Sequence, residues 1–372
     1  MARVTHRQRM LAAYRNAPSA DVCTGIYTRY LPRSEAEREA RNNGMGVIDF
    51  YPAVSLLAPP WHTHAGYLSE VRGASLRIEH LWETDGPVEV RTYETPAGKV
   101  SQRIQRDPSY GSDWVGRHYV NGPDDYKALR YIVENTVFVP HHETVRQRLS
   151  DIGNDGVVLA RLDRSPFQKL LVELADPQRF LMDVTTGESA ALSLLEAIRE
   201  RLTEQAGLAV DTPAQLVWQP DNVTADMTSP QFFKTYCLPF YQENATRFHE
   251  RGKAYVVHMD GRLAPLKEMI AESGIDAVES FSLPDMGGDM SLHEAQKTWP
   301  GQAVLPNLPS AWCERGNTWI TERLKGMLSE RNPGRALMVQ ISEDIPTEHW
   351  QRACMLLARV AAELGEARDD VD

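Results

Sequence analysis

The chain is poor in cysteine, with only Cys23, Cys237, Cys313 and Cys354 among 372 residues and no CxxC or CxC spacing between them. That scatter excludes a zinc knuckle and argues against a disulfide framework, leaving at most one cysteine as an isolated ligand. Glycine-rich phosphate loops are missing too, since neither GxGxxG nor GxxxxGKS/T occurs, and there is no serine-centred nucleophile elbow. No apolar run approaches the ~20 residues that cross a bilayer. Positive charge is in short supply: the formal net charge is −11, which disfavours nonspecific binding to nucleic acid or an anionic membrane. Met1 to Asn16 is basic but lacks the apolar core of a secretory signal. It reads as an amphipathic first helix, and a cytoplasmic chain is expected.

What is present fits one large globular domain spanning 1–372, with 42% apolar and 24% charged residues. Short apolar strands are expected at 21–27, 46–50, 156–162, 215–219, 254–258, 276–280, 303–307 and 336–341. Helical patterns fall between them, notably at 190–206, 230–251 and 348–363. Eight alternations of a buried strand and a helix predict a (β/α)8 barrel, although an open eight-stranded parallel sheet fits the same spacing. The second and third strands are far apart. Polar and apolar residues alternate between Ser69 and Ser101 around the turn-forming Asp85-Gly86, which predicts an inserted β-hairpin over about 67–105. The tail 365–372 is acidic and expected to fray.

In such a barrel, function gathers where strands end at the carboxyl rim. The stretch Ala254-Tyr-Val-Val-His-Met-Asp-Gly-Arg262 ends a strand in His258 and Asp260, and the next strand carries Glu279. Other strand ends supply Tyr27, Arg29, Asp49, Asp163, Asp221, Asn222 and Asn307. A histidine among carboxylates has two readings. His258, Asp260, Glu279 and Glu343 offer the nitrogen and oxygen ligands that zinc accepts. Equally, His258 can hydrogen-bond a carboxylate while Asp260 caps the next helix. Trp61-His62-Thr63-His64 is a lesser chelate candidate, and His141-His142 reads as surface. Arg29 and Arg33, flanking Tyr30, can grip an acidic ligand through bidentate pairs, or pair with Glu35 and Glu37 at a helix start. The turn Pro284 to Asp289 lines the pocket or simply connects two elements.

The segments HMDGRLAPLKEMIAESGIDAVESF, SPQFFKTYCLPFYQE, TRYLPR, RSPF and TYETPAGKVSQ resemble the uroporphyrinogen decarboxylase superfamily, whose (β/α)8 barrels include corrinoid-linked methyltransferases. The resemblance covers nearly the whole chain. In the decarboxylases a motif of the form MRQAGRYLPE places two arginines on porphyrin carboxylates. Here Arg29 matches the second and Gly25 stands at the first, removing a charge-assisted contact worth ~1.5–3 kcal/mol. Asp49 in VIDFYP is the counterpart of the decarboxylase aspartate. The methyltransferase branch carries zinc on H-x-C and a distant cysteine. His258 matches that histidine, Asp260 replaces the first cysteine, and Glu343 in SEDIP stands at the second. A nitrogen- and oxygen-ligated zinc is the harder Lewis acid, suited to polarising an ether oxygen. The resemblance therefore implies transfer of a methyl group from a small O- or N-methylated compound to a corrinoid protein. Zinc is the expected cofactor, and a homodimer is the expected assembly. Tyr27, Asp221 and Asn222 would act in catalysis, and Arg29, Asp49, Asp163 and Asn307 in substrate binding. Porphyrinogen decarboxylation through Tyr27, Arg29 and Asp49 is the alternative, followed by a barrel that only binds a ligand.

Overall fold

The computed structural model describes residues 4–19, 21–30, 35–58, 69–106, 113–342 and 345–366. The chain divides into two compact units. The first comprises Met1–Tyr51, Glu143–Arg161 and Pro213–Asp372; the second comprises Pro52–His142 and Leu162–Thr212.

The first unit is built on eight parallel strands: β1 (Val22–Tyr27), β2 (Met45–Pro52), β7 (Gly156–Arg161), β8 (Leu216–Gln219), β9 (Ala254–His258), β10 (Ala277–Phe281), β11 (Ala303–Pro306) and β12 (Leu337–Ile341). Their order is β11-β10-β9-β8-β7-β2-β1-β12. A single parallel bridge, Asn307 to Gln340, joins the two ends and makes the sheet a nearly closed (β/α)8 barrel. Strands such as VCTGIY and LMVQI are buried at every position, because a parallel sheet is covered on both faces and reads as a continuous apolar run. Position 25 is tight for any side chain. A Cβ there would sit 2.8 Å from Ile48 Cδ1 and 3.0 Å from Met338 Sδ, on the two neighbouring strands. The N-terminal helix His6–Tyr14 opens with a capping box at Thr5 and Gln8, then buries Met10, Ala13 and Tyr14. The expected helix over 230–251 forms in three pieces, with a π-helical turn at Phe233–Cys237 ahead of Leu238–His249. Among the described residues, no helix is long and apolar enough to cross a membrane.

The second unit carries the insertion, which is larger than a hairpin. It is a four-stranded antiparallel sheet in the order β3-β4-β5-β6. Its strands are β3 (Ser75–Glu83), β4 (Gly86–Thr95), β5 (Gly98–Arg106) and β6 (Asp113–Arg117). The Asp85-Gly86 turn joins β3 to β4 as its chemistry predicts. A second tight turn follows at Pro96-Ala97, where the Thr95 hydroxyl donates to Gly98 O and accepts from Ala97 N. That turn doubles the chain back again, and the last strand pairs beyond the boundary expected from the polar–apolar alternation.

Candidate functional site

Strand β10 organises the rim of the first unit. The register with β11 shifts between Glu279 and Phe281. Ser280, the extra residue, has φ 61, a left-handed value that costs a non-glycine residue free energy. In an unbroken strand Glu279 and Phe281 would face the same side. Through the bulge, Phe281 instead packs edge-on against Trp299, with ring centroids 6.2 Å apart, while Glu279 faces the residues of β1, β8 and β9.

Glu279 is fully buried and accepts three hydrogen bonds. Tyr27 Oη donates to Oε1 at 2.7 Å, and Trp218 Nε1 donates to Oε2 at 3.1 Å. His258 Nδ1 meets the same Oε2 at 2.7 Å. The other ring nitrogen, Nε2, lies 3.5 Å from Asp260 Oδ2. An imidazole therefore stands between two carboxylates. Burial alone would lower the His258 pKa, but the charges of Glu279 and Asp260 outweigh it and push the value up to about 10. Tyr27 moves well above the ordinary phenol value, through burial first and then the Glu279 charge, so it stays a neutral donor.

Asp260 is itself braced. Asn222 Nδ2 donates to its Oδ2 at 3.1 Å, and Ser282 Oγ donates to its backbone oxygen at 2.8 Å. The adjacent Gly261 lets two rim loops touch, because a Cβ there would come 2.2 Å from Thr224 Cβ. An aromatic wall flanks the ring. Phe50 lies 5.4 Å from both Tyr27 and Trp218, and Trp218 lies 6.0 Å from the His258 ring, centroid to centroid. The Arg161 guanidinium stands 5.9 Å from the Trp218 ring.

The residues singled out from the sequence divide accordingly. Tyr27, Asn222, His258, Asp260 and Glu279 form one connected group. Glu279 sits behind the ring, on the nitrogen opposite Asp260, rather than beside Asp260 as a fellow ligand. Arg29 is exposed just past β1, and its charge acts on Tyr27. Asp49 accepts from Thr28 Oγ1 at 3.0 Å and pairs with Arg148 at 3.2 Å. Asp221 is fully buried and accepts from Tyr241 Oη at 2.6 Å. Asp163 belongs to the second unit, where it pairs with the fully buried Lys169 at 2.7 Å and accepts from Leu57 N and Gln205 Nε2, each also at 2.7 Å. Asn307 lies at the β11–β12 seam. Glu343, Arg33 and the His62/His64 pair fall outside the described residues. Sequence reasoning missed Trp218, Ser282 and Arg148. An inward-facing tryptophan at the end of a barrel strand was a readable signal for the first; nothing local marks the other two.

Zinc can be tested against these donors. Ligands about 2.0–2.1 Å from a tetrahedral ion are about 3.4 Å apart, close to the 3.5 Å between His258 Nε2 and Asp260 Oδ2. Glu279 on Nδ1 is the carboxylate that commonly backs a metal-bound histidine. The pair fits as two ligands. Among the described residues, no group of three His, Cys, Asp or Glu side chains is gathered so as to hold a metal ion. The four cysteines are all buried, and burial pushes the thiols of Cys23 and Cys354 up to about 12 and that of Cys313 to about 11.

Comparison with known proteins adds the following. The family described as uroporphyrinogen decarboxylase (URO-D) matches residues 116–360. No curated protein matches the chain significantly. Among solved structures, a methyltransferase from Methanosarcina mazei superposes with a TM-score of 0.56 at 14% identity, covering 98% of this chain and 100% of that one. A GH18 chitinase from Flavobacterium johnsoniae gives a TM-score of 0.36 at 11% identity, covering 63% of this chain and 83% of that one. At 14% identity the likeness to the methyltransferase concerns the fold.

Proposed function

Since the chain belongs to the uroporphyrinogen decarboxylase (URO-D) family, we propose that it is a methyltransferase of that family's barrel type. In this reading it moves a methyl group from a small O- or N-methylated compound to a corrinoid held by a partner protein. The observation that carries the reading is the His258–Asp260 pair, spaced as two ligands of one ion and backed by Glu279. His258 and Asp260 would hold zinc, which when bound supplies a Lewis acid to the donor's heteroatom. The chain's own residues do the rest. Glu279 fixes the tautomer by accepting a hydrogen bond from Nδ1–H, leaving the Nε2 lone pair on the substrate side. Asn222 and Ser282 fix the second ligand. Tyr27, Phe50 and Trp218 give the substrate an apolar wall that keeps water from the reacting carbon.

The test is metal analysis of the purified full-length chain together with methyl transfer from a panel of methylated donors to free cob(I)alamin. The expected result is about one zinc per chain, lost in His258→Ala and Asp260→Asn, with methylcobalamin formed only by the loaded protein. A metal-free wild type that methylates no cobalamin with any donor would sink the proposal.

One observation favours a second reading. Without a metal, His258 is an imidazolium held between Glu279 and Asp260, a proton donor suited to cofactor-free decarboxylation, where loss of carbon dioxide leaves a carbanion to be protonated. Against it stands Gly25, which supplies no cation where the family's first arginine would stand. Coproporphyrinogen formed from uroporphyrinogen by the metal-free protein would establish this reading, and its absence would remove it.

A further inference from the structure

The seam that closes the barrel leaves hydrogen-bond donors unused. The single bridge between β11 and β12 falls at Asn307 and Gln340, and Leu308 N donates to Gln340 O at 2.8 Å. One residue further on, the Asn307 side chain replaces a backbone carbonyl, with Oδ1 accepting from Ser342 N at 2.9 Å. That bond fixes the amide's orientation, because a flipped amide would set N–H against N–H. Nδ2 then meets no acceptor among the described residues, although Asn307 is fully buried. Beside it the Ser280 and Ser342 hydroxyls lie 2.7 Å apart. One donates to the other, and the second keeps a proton with no acceptor among the described residues. The neighbouring Gln340 is already committed: Oε1 accepts from Ser280 N at 3.2 Å, and Nε2 donates to Tyr14 Oη at 3.2 Å. A buried donor without an acceptor is unfavourable, and Ser280 adds its left-handed strain. Closing the seam needs only Oδ1, so it explains neither the idle Nδ2 nor the strained serine.

We propose that Asn307 Nδ2 and the free hydroxyl proton of the Ser280/Ser342 pair form a subsite that offers two donors to a neutral acceptor oxygen of the ligand, a carbonyl, ether or hydroxyl. Among the described residues, no cationic side chain bonds to these three. Ser280 follows directly on the buried Glu279 carboxylate, whose field opposes an anion. The subsite deepens the proposed function and rests on it for taking this rim as the reaction site.

The experiment soaks crystals of the full-length chain with acetone, a neutral acceptor, or with acetate at equal concentration, and follows the acetone carbonyl by ¹³C NMR in solution. Neither measurement needs metal or turnover, so a failed methyl-transfer assay leaves this test intact. The expected result is an acetone oxygen within hydrogen-bond distance of Asn307 Nδ2, with saturable binding weakened about tenfold in Ser342→Ala and lost in Asn307→Leu. Ser342→Ala keeps the seam amide and serves where the leucine variant fails to fold. A water that stays in place under acetone, acetate seated equally well, or binding at crystal concentration only would each overturn the proposal.

Discussion

Replacing Glu279 by glutamine tests the centre of the site while keeping its shape. The amide oxygen can take the place of Oε2 and accept from both Trp218 and His258, while the amide nitrogen donates to Tyr27 Oη, which rotates to accept. What disappears is the charge. Two unit charges about 4 Å apart at an effective dielectric near 20 interact by about 4 kcal/mol. At 1.36 kcal/mol per pH unit that is about three pH units. Asp260 remains at Nε2, so His258 is expected to fall from about 10 to about 7–8 in the variant. The sign for stability follows from linkage. The folded pKa lies above the unfolded one, so the contribution is full below about pH 6.5 and is lost as pH rises through about 10. Inside that window stability should fall by about 1.4 kcal/mol per pH unit, and in Glu279→Gln the window should close near pH 7–8. Long-range ¹H–¹⁵N spectra of the metal-free protein report the imidazole, and urea unfolding across the range reports the slope. A variant whose His258 keeps its proton at about pH 9, or a wild type of constant stability from about pH 7 to 9, would refute the reasoning.

Zinc should bind the wild type with release of a proton and more tightly as pH rises, which isothermal titration in buffers of different ionisation enthalpy can count. Lys169→Met should destabilise the second unit by about 3–5 kcal/mol in urea unfolding, since it takes the cation from the buried Asp163 and leaves Glu173 with Arg164 alone; a change below about 1 kcal/mol would contradict that account. Ser280→Gly should be nearly neutral, because relief of about 1 kcal/mol of left-handed strain offsets a lost hydrogen bond, whereas Ser280→Val should cost about 3 kcal/mol or more by thermal unfolding. Gly261→Ala should lower zinc occupancy with a stability cost of about 1–3 kcal/mol, because the new methyl collides with Thr224 and shifts the loop that carries Asp260.

The barrel was legible because each of its strands is a short, mostly apolar run, and the helices between them have the right length and period. The insertion was read only in part. Polar–apolar alternation marks β3, β4 and β5, but Asp113–Arg117 is five residues with one apolar pair and no sequence signal of its own. At the site, His258, Asp260 and Glu279 stood out as titratable residues at strand ends, and Tyr27 and Asn222 by the same rule. The rule also selected Asp163 and Asp221, whose carboxylates are taken by Lys169 and by Tyr241. A strand end tells where a residue leaves the sheet, not which neighbour takes up its charge. Nor could the bulge at Ser280 be read, since serine in AVESF matches an ordinary strand.

That bulge decides how the two carboxylates divide their work. With Glu279 on Nδ1 and Asp260 near Nε2, His258 presents one nitrogen outward, and a proton and a metal ion compete for it. A pKa of about 10 means that at pH 7 the proton lowers the apparent affinity for a metal by about a thousandfold, or about 4 kcal/mol. The penalty does not argue against zinc, because its source is the negative field that attracts any cation. A divalent ion feels that field twice as strongly as a proton does, and it also gains a direct bond to Asp260 that a shared proton at 3.5 Å does not make. Neutralising Asp260 separates the two contributions. In Asp260→Asn the proton should leave His258 more readily, and zinc binding should weaken by more than the lost charge accounts for, because a ligand is lost along with it. A variant in which both affinities fall in parallel with charge alone would make the site a proton donor rather than a metal centre.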